Sequence, residues 1–513
     1  MTPVGVAEAR PTDGRILPDD AHNRELLRHT HPDGWVNPTP RGRYNLVVIG
    51  SGTAGLTAAG GCAAVGGRVA LIERHLTGGD CLVTGCVPSK GIIASARLAA
   101  SARRAAEHGV RVGSVDADFP AVMERMRRLR ARISPADSVQ HLKAMGVDVF
   151  LGAGRFTGPD AVEVQGATLR FARAVIATGG RAAVPPIPGL REQGFLTNET
   201  LFELTELPPR LVVIGAGPIG CEMAQAFQRL GAQVTLIDTG AHVLHREDPD
   251  AAALVQRALV RDGVRLMLSA KVARVEGRNG GKVVVIEQEG AALNVACDAL
   301  LVGAGRAPNI EGLNLEAAGV RHDKAGVAVD DTLRTTNPRI YAAGDICTPL
   351  KFTHLANAMG RMALINALFW GRNRMSRVVV PWCTYTDPEI AHAGLYERQA
   401  IERGERVHTI TVPFTENDRA VLDGEEDGFV RVHLRRGTDR ILGATIVAAH
   451  AGDLLTYFTL AMAGGRGLAS LAGAIYPYPT QSELIKKVAN HYLQTQLSPR
   501  VKRWLARFLK WRR

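Results

Sequence analysis

NLVVIGSGTAG, running from Asn45 to Gly55, reads as a strand, a glycine turn and the start of a helix. Leu46, Val47, Val48 and Ile49 form a short apolar, β-branched run of the kind that makes a buried parallel strand. Gly50-Ser51-Gly52-Thr53-Ala54-Gly55 then fits G-x-G-x-x-G. In that pattern Gly50 permits the tight turn, Gly52 lets the backbone approach a pyrophosphate, and Gly55 allows close helix–strand packing. The helix N-terminus favours the ligand's negative charge. The next strand, Val69 to Ile72, ends at Glu73, where a carboxylate can accept hydrogen bonds from a ribose.

The same series recurs as LVVIGAGPIG, Leu211 to Gly220, with Gly215, Gly217 and Gly220 in the three glycine places. A helix through Leu230 and a strand from Val234 to Ile237 follow, with Asp238 as the acid. The duplication predicts two dinucleotide-binding domains in one chain. Asp238 suits the free 2′-hydroxyl of NADH and opposes the 2′-phosphate of NADPH, so NADH is favoured; the nearest arginine downstream is Arg246. A loop-capping role for Asp238 remains the alternative.

Composition narrows the function. The chain has 513 residues, 46% hydrophobic and 22% charged, ordinary for a protein of three or four globular domains. Aromatics at 5% are too sparse for a platform that stacks single-stranded nucleic acid. Of the net charge of +12, seven positive groups fall in Arg500 to Arg513, which hold no acid, leaving the other 499 residues at +5. The body is close to balanced, and no nucleic-acid partner is indicated. Seven cysteines in so long a chain argue against a secreted disulfide scaffold. The N-terminus has no signal-peptide pattern. The most apolar stretch, Leu454 to Ile475, is interrupted by Arg466 and glycines and reads as a buried or interface helix. The expected location is cytoplasmic.

Residues 1–43, polar and rich in Pro and Asp, read as an arm over the first domain or a partly disordered one, with order beginning at Tyr44. Ala117 to Met145 reads as helical, and Val147 to Leu151 and Ala161 to Leu169 as strands with hairpin turns. From Val378 the pattern changes. Strand-like Val378 to Tyr385, Val407 to Val412, Phe429 to Leu434 and Ile441 to Val447 alternate with helices at Leu455 to Met462 and Ser482 to Tyr492. This predicts an α+β domain with an antiparallel sheet.

GGDCLVTGCVPSK, Gly78 to Lys90, carries the chemistry. Cys81 and Cys86, five apart with Gly85 between them, can meet and cycle between dithiol and disulfide if a thiolate is stabilised. Lys90 lies one helical turn after Cys86, where its cation can share a face. Spacing alone favours the bland alternative of two buried cysteines. Cys62, Cys221 and Cys297 sit in apolar stretches and read as core, and no motif gives Cys347 or Cys383 a role.

The segment resembles the redox-disulfide signature of the pyridine nucleotide–disulfide oxidoreductases, the family of dihydrolipoamide dehydrogenase, glutathione reductase and mercuric reductase. The resemblance covers about Tyr44 to Pro499. It departs at Asp80, usually Thr, and at Val83-Thr84, usually Asn-Val; an unpaired Asp80 would raise the pKa of Cys81. The resemblance implies an α/β fold of two Rossmann-like domains, for FAD and NAD(P), with a C-terminal α+β dimerisation domain. The implied boundaries are an arm at 1–43, the FAD domain at 44–190 and 310–377, the NAD(P) domain at 191–309, the interface domain at 378–499 and a basic amphipathic tail at 500–513. It further implies a Cys81–Cys86 redox disulfide, with Cys86 nearest the flavin as a charge-transfer thiolate and Cys81 facing substrate. Lys90 would lie by the reactive flavin nitrogen and pair with Glu222. Ala177-Thr178-Gly179 matches the crossover of the FAD site, and Tyr341 to Asp345, with Gly344, the late flavin motif that places Asp345 by the ribityl-phosphate portion. Gly303 to Asn309, with Gly305 and Arg306, matches the segment closing the NAD(P) domain.

At the acceptor end the family's His-Pro-Thr-x-x-Glu reads Tyr478-Pro479-Thr480-Gln481-Ser482-Glu483. The replaced His is the acid–base of disulfide exchange, and a phenol with pKa near ~10 is a poor proton shuttle at neutral pH. Mercuric reductases carry Tyr here. Together with Cys81 and Cys86, Tyr478 implies transient binding of Hg(II), a soft ion that prefers sulfur. No cysteine follows Cys383, so that group's C-terminal vicinal pair is unmatched, as is its N-terminal metal-binding domain. The expected function is an FAD-dependent NAD(P)H oxidoreductase, a homodimer, acting through Cys81 and Cys86 on a small-molecule or metal-ion acceptor, with Hg(II) favoured. The alternatives are a dihydrolipoamide dehydrogenase-like or other disulfide or quinone reductase, and a non-enzymatic flavin redox sensor attached to a membrane. In the tail, Val501, Trp504, Leu505, Phe508 and Leu509 follow helical spacing while cations take the other faces. It can lie on the inner face of a membrane or dock on its own protein or dimer mate.

Overall fold

The structure, a computed structural model, describes residues 16–278 and 281–513. By compactness the chain divides into two units. One runs to Ala241 and resumes at Asp262–Arg377; the other joins His242–Arg261 to Val378–Arg513.

The first unit holds both glycine turns. Strand Arg43–Ile49 lies between Val69–Glu73 and Ala167–Ile176 and parallel to both, with Leu46 opposite Val69 and Arg173. Val147–Leu151 extends the sheet on one side, Ile340–Ala342 joins Ala167–Ile176 in parallel, and Arg155–Gly158 and Ala161–Val164 complete it. Ala161 to Leu169 is not one strand. Gln165 and Gly166 both have positive φ, 46° and 79°, and turn the chain into an antiparallel pair, Val164 opposite Ala167. The second glycine turn follows Arg210–Ile214, which sits in a parallel sheet ordered Arg265–Met267, Gln233–Ile237, Arg210–Ile214, Ala299–Val302. A three-stranded antiparallel sheet, Ala270–Arg278, Gly281–Gln288 and Ala291–Cys297, accompanies it.

Order does not begin at Tyr44. Residues 1–15 of the expected arm lie outside the described residues, but helix Ala21–Thr30 is well formed, capped by Asp20, whose Oδ1 accepts the Asn23 amide at 2.8 Å. Asp20 also pairs with Arg127 at 2.5 Å. Buried Arg130 donates to Asn23 Oδ1 and to the Val83 carbonyl, each at 2.7 Å, tying the arm to the segment that carries Cys81. Further along, Asn37 Nδ2 donates to the Leu151 carbonyl at 2.9 Å and its Oδ1 accepts the Leu151 amide at 2.7 Å. The side-chain amide thus stands in for a neighbouring strand on an open sheet edge. Beyond Ala21, only Leu26 and Leu27 are apolar in the helix, so its burial leaves almost no periodic signal.

In the second unit a five-stranded antiparallel sheet runs Pro381–Thr384, Glu389–Gly394, Ile441–Ala448, Phe429–Arg435, Val407–Pro413. Glu389–Gly394 is a strand with little signal in the sequence, since its centre is Ile-Ala-His-Ala with few β-formers. Helices Ala451–Ala463 and Glu483–Gln496 contribute to its core. His242–Arg261 belongs here because Glu247 is buried in it. Glu247 accepts from Trp382 Nε1 at 2.8 Å and from the Tyr396 hydroxyl, and Arg431 pairs with Asp248 and Asp250. No helix of the described residues is long and apolar enough to cross a membrane.

Candidate functional site

The two glycine turns are built alike. Gly50 and Gly215 have φ of 100° and 103°, and each donates its amide to the end of the neighbouring strand, Ile72 and Ile237, at 2.8 Å. A Cβ on Gly50 would stand 2.3 Å from the Ala177 carbonyl, and one on Gly55 would stand 1.8 Å from the Gly50 carbonyl. Gly220 repeats the second clash against Gly215 at 1.8 Å. The middle glycines differ: a Cβ on Gly52 or Gly217 would meet no protein atom within 4 Å. The chain's own packing therefore demands the outer glycines and leaves the middle ones facing open space, the arrangement a pyrophosphate needs. Glu73 Oε2 accepts from the Ser51 amide at 2.8 Å and hydroxyl at 2.7 Å, while Oε1 accepts the His75 amide at 2.7 Å. Asp238 does the same with the Ala216 amide at 2.6 Å and the Gly240 amide at 2.7 Å. Both acids brace their turns, and Glu73 Oε1 and both oxygens of Asp238, each with one donor, keep a further lone pair for a ribose.

Two left-handed glycines, Gly78 and Gly79, bring the cysteine segment against the first turn. The Gly78 amide donates to the Ser51 carbonyl at 3.0 Å, and a Cβ on Gly79 would stand 2.7 Å from Gly52 Cα. Cys81 lies in the short helix Gly79–Val83, and Cys86 opens helix Cys86–Arg103, where the unpaired helical N–H groups favour an anion. Both residues are free thiols, joined by a hydrogen bond. The dithiol is the reduced half of the expected couple, and the bond polarises it. Cys86 is lowered to about 6, first by the hydrogen bond from Cys81, then by the Thr353 hydroxyl 3.3 Å away and by the Lys90 cation. Cys81 is driven well above the ordinary thiol range, first by that same hydrogen bond and then by burial. At neutral pH, Cys86 is the thiolate and Cys81 S–H donates to it. Thr353 begins helix Thr353–Leu368 and belongs to no motif that would have revealed it.

Lys90 Nζ stands 2.8 Å from Glu222 Oε2, the carboxylate buried and the ammonium half-buried. Asp80 is not the unpaired charge that would have acted on Cys81. Its carboxylate is held by Arg306, whose Nε also lies 3.2 Å from Asp345 and whose Nη2 donates to the Gly180 carbonyl at 2.8 Å. Arg306, expected in the NAD(P) site, has its guanidinium committed between Asp80 and the late flavin motif. The physical cause is the pairing of Arg306–Pro308 with Gly180–Ala182, which carries residues 303–309 from the second glycine turn to the first fold. Thr178 and Gly179 are tied to the same segment, with Thr178 Oγ1 donating to the Asn309 carbonyl at 2.9 Å and the Asn309 amide donating to Gly179 at 3.0 Å. Gly305, with φ of 117°, accepts the Ala183 amide at 3.0 Å. Gly344, also left-handed, lets the late motif approach Ala54. Burial pushes the Asp345 carboxyl up, against the pull of Arg306 and Lys351. Cys62, Cys221 and Cys297 are buried, as core.

In the second unit, Tyr478 is 70% exposed and precedes Pro479 in a cis peptide. Its hydroxyl donates to Asp418 Oδ2 at 3.1 Å rather than to Glu483, which opens helix Glu483–Gln496. The Asp418 hydrogen bond raises the phenol above its ordinary pKa.

Residues 44–361 match the pyridine nucleotide-disulphide oxidoreductase family, and residues 380–489 match that family's dimerisation domain. A mercuric reductase of Bacillus cereus is 34% identical over 484 residues, 94% of this chain and 77% of the relative. A dihydrolipoyl dehydrogenase of Bacillus subtilis is 31% identical over 464 residues, 87% of this chain and 97% of the relative. Among solved structures, the HOCl-induced flavoprotein disulfide reductase RclA from Escherichia coli superimposes with a TM-score of 0.77 at 29% identity, covering 87% of this chain and 99% of RclA; it has also been solved as a Cu(II) complex.

Proposed function

This chain belongs to the pyridine nucleotide-disulphide oxidoreductase family, whose cofactors are FAD and a pyridine nucleotide, and from that premise we propose that it reduces a thiophilic metal ion, Hg(II), at Cys81 and Cys86. When bound, FAD supplies the two-electron relay between nicotinamide and sulfur. In the reductive half, NAD(P)H converts the Cys81–Cys86 disulfide to the Cys86 thiolate, the Cys81 thiol and NAD(P)⁺. In the oxidative half, the two sulfurs bind Hg(II), release one proton, surrender an electron pair to the metal as Hg(0), and close the disulfide again. Lys90 and Glu222 hold a paired charge beside the site, and Lys90 is placed to stabilise negative charge that develops there.

One observation carries the choice of acceptor: Tyr478 in place of the family's His. Disulfide exchange needs a proton shuttle, and a phenol raised by Asp418 is a poor one. Metal reduction needs soft ligands, which the Cys86 thiolate and Cys81 provide. A second reading follows from RclA, solved with Cu(II): two Cu(II) ions reduced to Cu(I) would take the same electron pair. For the donor, Asp238 favours NADH over NADPH, because its carboxylate opposes a 2′-phosphate.

Steady NADH oxidation by the purified yellow protein on adding Hg(II) with excess thiol, lost in Cys86→Ser, is the expected result. Turnover with lipoamide but with neither Hg(II) nor Cu(II) would overturn the reading.

A further inference from the structure

We propose that helix Pro499–Trp511 is a docking element for an anionic phospholipid surface. Ser498 caps it, accepting the Val501 amide at 3.3 Å, and Pro499 starts it, so the helix begins independently of the body. No residue in it is buried, and Trp504 and Trp511 are 64% and 80% exposed. At 3.6 residues per turn, Val501, Trp504, Leu505, Phe508, Leu509 and Trp511 fall within an arc of roughly 160°. The Trp504 and Phe508 rings stack at 5.8 Å, making that face continuous. The opposite arc holds Arg500, Lys502, Arg503, Arg507, Lys510 and Arg513. Arg512 falls within the apolar arc at the end of the helix and folds back over the Phe508 ring, 5.9 Å away, as a snorkelling cation does.

Charge decides among occupants. Against a second copy of the chain, the helix would meet a body that is itself at +5. Nucleic acid would satisfy the cations and leave the aromatic arc in water. An anionic bilayer takes both faces, the cations at its headgroups and the rings at the acyl boundary. A homodimer, which the dimerisation domain supports, would carry two such helices and bind by avidity where one alone is marginal.

The test is co-sedimentation of the full-length flavoprotein with vesicles of phosphatidylcholine alone or with about 30% phosphatidylglycerol, at about 0.1 M and about 1 M salt. Expected are binding to the anionic vesicles, weakening at high salt, and a loss of about tenfold or more in Trp504→Glu/Phe508→Glu. Flavin reduction by NADH and elution volume should be unchanged, because the helix buries nothing. A chain truncated after Leu497 should behave as the double variant does. Equal sedimentation of intact and truncated chains overturns the proposal, as does equal binding to neutral vesicles. Conversion to monomer on truncation would reassign the helix to the dimer mate. Retention on duplex DNA that survives Phe508→Glu, without vesicle binding, would reassign it to nucleic acid.

Discussion

Cys86 is the residue whose chemistry is most sharply set by its surroundings. A thiol lowered from 9.0 to about 6 is mostly thiolate at pH 7, and its nucleophilic form is lost only as pH falls through about 6. In the reduced protein, thiolate absorbance should therefore rise through about pH 6, and Cys86→Ser should abolish that step. Thr353→Val removes a donor to the anion and should move the midpoint up by about one pH unit. A step unmoved by either change would sink the assignment. At the second turn, Asp238→Asn should narrow the preference for NADH over NADPH about tenfold or more, read from kcat/KM for each, because it removes the charge that repels a 2′-phosphate.

At the scale of the element, the glycine turns separate folding from binding. Gly55→Ala drives a methyl into the Gly50 carbonyl and should destabilise the protein by several kcal/mol or prevent its folding. Gly52→Ala meets no protein atom at a φ of −70°, so the apoprotein should change by about 0.5 kcal/mol or less, while flavin affinity falls about tenfold or more. Thermal unfolding of apoprotein beside a flavin titration distinguishes them; equal loss in both variants would mean that the middle glycine serves packing alone. These turns were legible in the chain because a glycine pattern encodes backbone geometry within a few residues. Helix Ala21–Thr30 was not, because what holds it are Arg127 and Arg130, roughly a hundred positions away.

For the whole molecule, the dimerisation domain exposes Tyr457, Leu460 and Ile475, the last 96% exposed. Large apolar side chains bared on a domain of this kind are an interface in waiting. Leu460→Arg should weaken self-association about tenfold or more, measured by sedimentation velocity, with the flavin still bound. A dimer of unchanged affinity would place the interface elsewhere.

The sequence alone determined the two dinucleotide folds, the cysteine pair and the aberrant Tyr478, because each is written as local steric or chemical necessity: a φ that only glycine adopts, a close approach, a thiol. Tertiary structure decided the rest. It paired Asp80 with Arg306, an interaction across 226 residues that compensates the charge expected to act on Cys81 and commits the Arg306 guanidinium between Asp80 and Asp345. It brought Thr353 to Cys86, bonded Tyr478 to Asp418 and joined Glu247 to the sheet of the second unit. Partners of buried and half-buried charges are chosen by where the packed chain brings them, and no pattern of neighbours along the chain records that choice.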